Sequence, residues 1–157
     1  MLYVDQGRYA EAEPLLRRAL AIREKASGFE HPDTAQSLNN LAGLYHHQGR
    51  HAEAEPLYCR AVAIWEKALG PEHPHTAAAL SNLAELYDNQ GRYAEAEPLL
   101  QRSLAVWEEA LGPEHPYTAH SLNGLAVLYD NQGRWAEAEP LLRRARHPRK
   151  YAGSRTP

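Results

Sequence analysis

A ten-residue phrase, Asp5–Pro14 in its first copy, recurs through the chain at a constant interval. Each copy contains a glycine, and successive glycines lie 42 residues apart. They are Gly7, Gly49, Gly91 and Gly133. A fixed period of this length is typical of solenoids, in which each unit buries its apolar face only by stacking on its neighbours. We therefore expect an array of small units whose function lies on an extended surface.

Each period contains two stretches with the spacing of amphipathic helices. In the second period, the apolar residues between Leu38 and Tyr45 are three and four residues apart, which predicts a helix with one apolar face. The segment His31–Thr34 precedes it, and proline, aspartate and threonine are residues that begin and cap helices. We expect the helix to begin there, with caps from the Asp and Thr oxygens. Gly49 ends it, and a second helix is predicted over 52–69.

Small residues recur at matching places in both helices of each period. Alanine lets two helix backbones approach to roughly 8 to 10 Å. The first helices carry Ala42, Ala84 and Ala126, and the second helices carry Ala12, Ala54, Ala96 and Ala138. We therefore expect antiparallel helix pairs joined by short turns and stacked with a constant rotation, which is an all-α solenoid with a concave face.

One order of residues is shared by the periods, and in the third it reads Leu83-Ala84, Tyr87, Gln90-Gly91-Arg92 and Glu95-Ala96. This order resembles the tetratricopeptide repeat. The 42-residue period is longer than the usual length of about 34, and together with Leu69–Pro74 it resembles the kinesin light chain type. Ser103 departs from the usual alanine but is small enough to keep the packing. The resemblance implies a right-handed superhelix that binds proteins and is not an enzyme.

The period also divides the chain into domains. We expect the array to cover residues 1–146 and a basic, disordered tail to follow it. The partial first repeat is 1–28, the next repeats are about 29–70, 71–112 and 113–146, and the tail is 147–157.

The first repeat lacks the beginning of its first helix, because Tyr3 aligns with Tyr45. We expect Leu16, Leu20 and Ile22 in its second helix to be more exposed than their counterparts in later repeats. An exposed apolar end favours association. The alternative function is therefore a self-assembly module that forms homo-oligomers through its incomplete terminal repeats.

In the resembled family, extended peptides are held on the concave face by side chains of the first helices. Placing the apolar stripe of each first helix against its partners leaves mostly polar residues on that face. The candidate peptide-binding residues are Gln36, Asn39, Asn40, His46, Ser81, Asn82, Glu85, Asp88, His120, Asn123 and Asp130.

Asparagine and acidic residues define the expected chemistry of this face. A carboxamide both donates and accepts, so it can bond the backbone of an extended peptide, although these asparagines can equally be solvated or bonded locally. Asn40 and Asn82 match the family's peptide-contacting asparagine, whereas Gly124 departs from it. None of the candidates is Lys or Arg. We therefore expect a basic or neutral peptide as the partner, and no clamp for a terminal carboxylate.

Composition excludes several other classes of function. The single cysteine, Cys59, cannot form an internal disulfide, and neither a signal peptide nor a membrane span is visible, so we expect a cytoplasmic protein without membrane partners. The cluster Glu72–His75 lacks the spacing of a zinc site, and we expect no metal, no cofactor and no catalytic residue. Six of the 17 basic residues follow residue 142, but apart from Tyr151 they lack interleaved aromatics, which argues against nucleic acid.

Overall fold

The computed structural model describes residues 9–146, and these residues form seven α-helices and no strand. The helices are α1 (Tyr9–Ser27), α2 (Pro32–His47), α3 (His51–Leu69), α4 (Pro74–Asn89), α5 (Tyr93–Leu111), α6 (Pro116–Asn131) and α7 (Trp135–Arg146). The predicted alternation of two helices per period is confirmed. Residues 1–8 and the predicted tail, 147–157, lie outside the described residues.

The first helix of each pair is capped by a histidine, a residue not predicted for this role. His31 is the N-cap of α2, and its Nδ1 accepts a hydrogen bond from the backbone N–H of Asp33 at 3.2 Å. His115 does the same for the N–H of Tyr117 at 3.2 Å at the start of α6. The expectation that the Asp and Thr oxygens cap α2 is wrong, because the imidazole occupies that position.

The threonine of this segment instead closes the preceding turn. Thr34 is fully buried, and its hydroxyl donates to the carbonyl of Gly28 at 2.7 Å. Thr76 bonds Gly70 in the same way at 2.9 Å, where the glycine takes φ +100°. A side chain with a Cβ rarely adopts that backbone conformation, so this turn depends on glycine.

The chain divides into two compact units, residues 1–82 and residues 83–157, with the boundary inside α4. In the first unit α1 packs on α2 and α2 packs on α3. In the second unit α5 packs on α6 and α6 packs on α7. The alanines predicted at the helix contacts are all buried, and Ser103 is fully buried in the place of an alanine. The small-residue prediction is therefore confirmed within each unit.

Two tryptophans are buried beside the turns between helix pairs. Trp65 stacks on His75, with ring centroids 5.5 Å apart, in the first unit. Trp107 stacks on Tyr117 at 4.8 Å in the second unit. Arg23 holds the equivalent place one period before Trp65 and donates instead to the hydroxyl of Ser37 at 3.1 Å. The same position is thus filled by a stacked ring or by a hydrogen-bonding guanidinium.

The outer face of α1 exposes apolar side chains, as predicted. Ile22 is 56% exposed, whereas Ile64 and Val106, one and two periods later, are each 5% exposed. Leu16 and Leu20 are half-buried, and their counterparts in α3 and α5 are buried. Among the described residues, no helix combines the length and the apolar character that crossing a bilayer requires.

Candidate functional site

The polar candidates of α2 lie on one side of that helix. Gln36, Asn39 and Asn40 are half-buried, while Leu41 and Tyr45, on the other side, are 4% and 3% exposed. At 3.6 residues per turn this spacing separates the two faces by about half a turn. The side-chain amide of Gln36 donates from Nε2 to Oδ1 of Asn40 at 2.9 Å. These amides therefore form a fixed polar strip along α2.

A second amide bond joins α2 to α4 within the first unit. Asn82 donates from Nδ2 to Oδ1 of Asn39 at 3.1 Å. The bond leaves the amino group of Asn39 and the oxygen of Asn82 without a protein partner among the described residues. Two of the predicted candidates are thus brought together, and the amino group of Asn39 and the carbonyl oxygen of Asn82 can each make a further hydrogen bond.

Two other candidates of the first unit differ from expectation. Ser81 is only 9% exposed, which differs from its expected position on the open face. His46 is half-buried at the end of α2, and its ring lies 5.9 Å from that of His47 and 5.6 Å from that of His51. The imidazoles form a small aromatic group at the turn between α2 and α3.

In the second unit a hydrogen bond joins the C-terminal part of α4 to the C-terminal part of α6. Asn131 donates from Nδ2 to the carboxylate of Asp88, at 3.1 Å from Oδ1 and 3.3 Å from Oδ2. Glu85 lies about one helical turn before Asp88, and Val127 lies about one turn before Asn131. The contact therefore places Glu85 and Val127 at the same height on neighbouring helices. Asn131 was not predicted as a site residue; its equivalent in α2 is His47, although Asn89 occupies the same place in α4.

The exposed side of the second unit combines acid and apolar character. Glu85 and Asp130 are exposed, and Val127 is 51% exposed. His120 and Asn123 are also exposed on α6. We call Glu85, Asp88, Asn123, Val127 and Asp130 the acidic face. Carboxylates around an exposed aliphatic side chain favour a partner that offers both a cation and an apolar group.

A charged network holds α2 in place against α1. Tyr45 donates its hydroxyl to Oε1 of Glu13 at 3.1 Å, and Arg50 donates to Oε2 of Glu13 at 2.7 Å. Hydrogen bonding from Arg50 lowers the pKa of the Glu13 carboxyl, burial opposes this, and Tyr45 adds to it. Burial and the neighbouring carboxylate raise the pKa of Tyr45. In the second unit Tyr129 and Arg134 make the same bonds to Glu97.

The guanidinium of each network also lies over the tyrosine ring. The guanidinium carbon, Cζ, of Arg50 lies 4.1 Å from the centroid of the Tyr45 ring, and Cζ of Arg134 lies 4.1 Å from the centroid of the Tyr129 ring. Cation–π contacts of this kind add to the ion pair. Each network fixes the direction of a first helix and hence the direction of its polar side chains.

Among the residues that the structure describes, no group of three or more His, Cys, Asp or Glu side chains is arranged to hold a metal ion. The Nδ1 of His73, in the cluster that drew attention in the sequence, accepts a hydrogen bond from the backbone N–H of His75 at 3.1 Å. Its role is that of a helix cap. Cys59 is exposed on α3.

Comparison with known families identifies the repeat. A family model described as tetratricopeptide repeat matches three overlapping stretches, residues 1–67, 38–97 and 76–146. These matches cover nearly the whole chain.

Comparison with solved structures gives the same type of repeat. A putative kinesin light chain from Podospora anserina with nearly identical TPR-like repeats is 35% identical, with a TM-score of 0.84, over 99% of this chain and 74% of that chain. BtubC from P. vanneervenii is 24% identical with a TM-score of 0.85, over 99% of this chain. MamA from AMB-1 is 24% identical with a TM-score of 0.61, over 97% of this chain and 70% of that chain. The last two show the fold alone, and the chain spans 62% of the length of BtubC.

Proposed function

Because the chain belongs to the tetratricopeptide repeat family, whose members generally mediate protein–protein interaction, we propose that it binds an extended peptide of a partner protein. The amide strip of α2 and the acidic face each offer one surface for such a peptide. The observation that carries the proposal is the exposed Val127 among carboxylates in the second unit. Binding, without catalysis, is the proposed mode of action.

The first unit supplies amide groups suited to a peptide backbone. Gln36 and Asn40 bond each other, and Asn39 bonds Asn82, so these side chains are already ordered before a ligand arrives. Ordering in advance lowers the entropy that binding costs. His46 lies on the same side of α2. A ligand here is recognised through its main chain and not through one particular side chain.

The second unit supplies the selectivity for charge. Glu85, Asp88 and Asp130 are acidic, and no Lys or Arg belongs to the acidic face. A Lys or Arg of the partner gains Coulomb energy here, whereas an acidic peptide is repelled. Val127 accommodates an apolar side chain next to that cation. The partner proposed is therefore a peptide with a basic residue beside an aliphatic or aromatic one; a neutral peptide with the same apolar residue binds less tightly.

The proposal is tested by fluorescence anisotropy with labelled peptides that share one apolar residue and differ only in flanking charge. We expect affinity to rise from acidic to neutral to basic peptides and to fall with salt. The variant Glu85→Gln with Asp130→Asn removes two carboxylates from the acidic face and abolishes most of this preference. The matched control, Glu72→Gln with Glu109→Gln, removes two exposed carboxylates elsewhere and keeps it.

The amide strip has its own test. Replacing Asn40 and Asn82 by Ala weakens binding of every peptide in the series without changing helicity, because the lost groups meet the backbone. Equal affinity for acidic and basic peptides, together with no effect of the asparagine replacements, rejects these surfaces as the binding site.

Self-association through α1 is a second candidate function, favoured by one observation. Ile22 is 56% exposed although its counterparts are 5% exposed. Buried in a homo-oligomer, the face formed by Leu16, Leu20 and Ile22 would no longer contact water. Light scattering coupled to size exclusion over a wide range of concentration tests this. We expect a charge at Leu20 to disperse the oligomer, and a wild-type chain that is monomeric throughout eliminates the candidate.

A further inference from the structure

The acidic face of the second unit carries negative charge that no neighbouring cation balances among the described residues. Glu85 and Asp130 are exposed, and neither makes a hydrogen bond or an ion pair through its side chain with another described residue. The carboxylate of Asp88 accepts hydrogen bonds from the neutral amide of Asn131. Several carboxylates on one face attract a cation more strongly than a single one does. The face is therefore suited to a basic ligand.

The same chain contains a segment of opposite charge. Residues 147–157 include Arg149, Lys150 and Arg155 and no acidic residue. Tyr151 follows Lys150 directly, so the sequence places an aromatic ring beside a cation. These are the two features that the acidic face favours in a ligand. We call residues 147–157 the basic segment.

The basic segment follows α7, and the end of α7 is held close to the start of α6. Arg144, two residues before the end of α7, forms an ion pair with Glu108 of α5. Trp107, next to Glu108, stacks on Tyr117 in the first turn of α6, with ring centroids 4.8 Å apart. These contacts all lie within the second unit. The chain therefore leaves α7 near the N-terminal end of α6, the helix that carries three residues of the acidic face.

The basic segment is long enough to reach the acidic face. Residues 147–157 span at most about 36 to 40 Å when fully extended. The helix α6 has 16 residues, and at 1.5 Å per residue its length is about 24 Å. The segment can therefore pass around α6 and place Arg155 beside Asp130, near the far end of that helix. Because it is covalently attached, its effective concentration at the face is on the order of millimolar.

We propose that the basic segment binds the acidic face of its own chain, with its cations beside the carboxylates and Tyr151 against Val127. This inference rests on the proposed function, because it assigns to the acidic face an internal ligand that an outside peptide must displace. The bound segment lowers the apparent affinity for outside peptides. It thereby raises the affinity that a partner needs in order to occupy the face.

Paramagnetic relaxation in the full chain tests the contact directly. A nitroxide is attached to the variant Thr156→Cys, after Cys59→Ser has removed the exposed native thiol. We expect the label to broaden the amide signals of Asn123, Val127 and Asp130. Salt should reduce this broadening, because the attraction is electrostatic. Absence of broadening at these three residues overturns the proposal.

Replacing carboxylates shows whether the acidic face is responsible. Glu85→Gln with Asp130→Asn should remove most of the broadening. The matched control, Glu72→Gln with Glu109→Gln, should keep it. Glu109 is exposed next to Glu108, close to the end of α7, so this control also tests the nearest alternative carboxylate. Broadening that is lost only in the control variant overturns the proposal.

A mixed sample shows whether the contact lies within one chain. A spin-labelled chain is mixed with an isotopically enriched chain that carries no spin label. We expect no broadening in the enriched chain of this sample. Broadening there assigns the contact to a second copy and overturns the proposal.

Competition with an outside peptide is measured by fluorescence anisotropy. In the full chain, Lys150→Gln with Arg155→Gln should raise the affinity for the labelled basic peptide at least about threefold, because a ligand at millimolar effective concentration no longer competes. Arg18→Gln with Lys25→Gln removes the same charge from two exposed residues of α1 and is expected to leave the affinity unchanged.

The two proposals fail in different ways. If basic peptides bind wild type and the Lys150 and Arg155 variant equally well, the internal contact is rejected and the proposed function stands. If the broadening depends on Glu85 and Asp130 in a chain that binds none of the outside peptides, the internal contact is supported and the proposed function is rejected.

Discussion

The hydroxyl of Tyr45 donates a hydrogen bond to the carboxylate of Glu13 at 3.1 Å and so joins α2 to the helix of the preceding repeat. Tyr129 makes the equivalent bond to Glu97 at 2.9 Å. In each case an arginine completes the network from the other side. The contact between successive repeats in each unit is therefore partly polar and directional, not only a packing of alanines and leucines.

Replacing this tyrosine by phenylalanine tests the contribution of the bond. Tyr45→Phe removes the donor and keeps the ring beneath Arg50, so we expect the free energy of unfolding to fall by about 1.5 to 3 kcal/mol, the range for hydrogen bonds to charged groups. Tyr129→Phe should lower the free energy of unfolding by a similar amount. Tyr117→Phe is the control, because that residue is 55% exposed and it should change stability little. Urea denaturation measures all three, and equal stability of Tyr45→Phe and wild type contradicts the role given to the bond.

Stability should depend on pH through the same carboxylates. Hydrogen bonds from arginine lower the pKa of Glu13 and of Glu97 below the usual 4.5. A group whose pKa is lower in the folded state stabilises the fold above its unfolded pKa, and this contribution is lost as the pH falls from about 4.5 through the folded value. We expect the urea midpoint to decrease over that window.

A double variant assigns this pH dependence to the networks. Glu13→Gln with Glu97→Gln should be less stable than wild type at neutral pH and should lose less stability on acidification. An unchanged slope below about pH 4.5 would assign the effect to other carboxylates.

Two serines at equivalent positions should respond in opposite directions to alanine. Ser37 accepts a hydrogen bond from Arg23 at 3.1 Å. Ser37→Ala removes this acceptor from the Arg23 guanidinium and should therefore lower stability. Ser121 is 1% exposed, and its hydroxyl has no hydrogen-bond partner among the residues that the structure describes. An unsatisfied buried hydroxyl costs about 1 to 3 kcal/mol, so Ser121→Ala should stabilise the chain. Ala79, which occupies the same place in α4 and is fully buried, shows that alanine fits. Thermal unfolding of the two variants measures the contrast, and a loss of stability in both refutes it.

Two glycines should also respond in opposite directions. Gly70 takes φ +100°, so Gly70→Ala strains the turn and should cost about 1 to 3 kcal/mol. Gly43 lies within α2, and a Cβ there would sit 3.5 Å from the hydroxyl of Tyr58, an ordinary contact. Gly43→Ala should therefore stabilise by up to about 1 kcal/mol through helix propensity. Calorimetry on both variants provides the measurement, and a stable Gly70→Ala would show that the turn tolerates a side chain.

The helices and their contacts were predictable because they rest on periodicity. The apolar spacing from Leu38 to Tyr45 and the glycine that ends α2 are local features, and a 42-residue repeat shows them several times over. The buried alanines followed from the same repetition. The histidine caps were not predicted, since an imidazole is an uncommon cap and the adjacent Asp33 and Thr34 are more usual ones.

For the candidate site, only the helix face on which its residues lie could be predicted from the sequence. Helical rotation correctly placed Gln36 and Asn40 away from the apolar stripe, yet it could not show that Asn39 and Asn82 bond each other across two helices. It also put Ser81 on the open face, although a small side chain at a helix contact is easily covered. Peptide binding, the charge of the partner, self-association and a cytoplasmic setting stay predictions.

The turn closed by threonine and glycine recurs without change after α1, α3 and α5. If one 42-residue repeat were inserted or deleted between equivalent positions of two repeats, the helix pairs on either side would still be joined by the same turn. Unequal recombination can therefore lengthen or shorten such an array without the evolution of a new junction. Selection is then left to act mainly on the side chains between the junctions, where the repeats that carry Trp65 and Trp107 already differ from the one that carries Arg23.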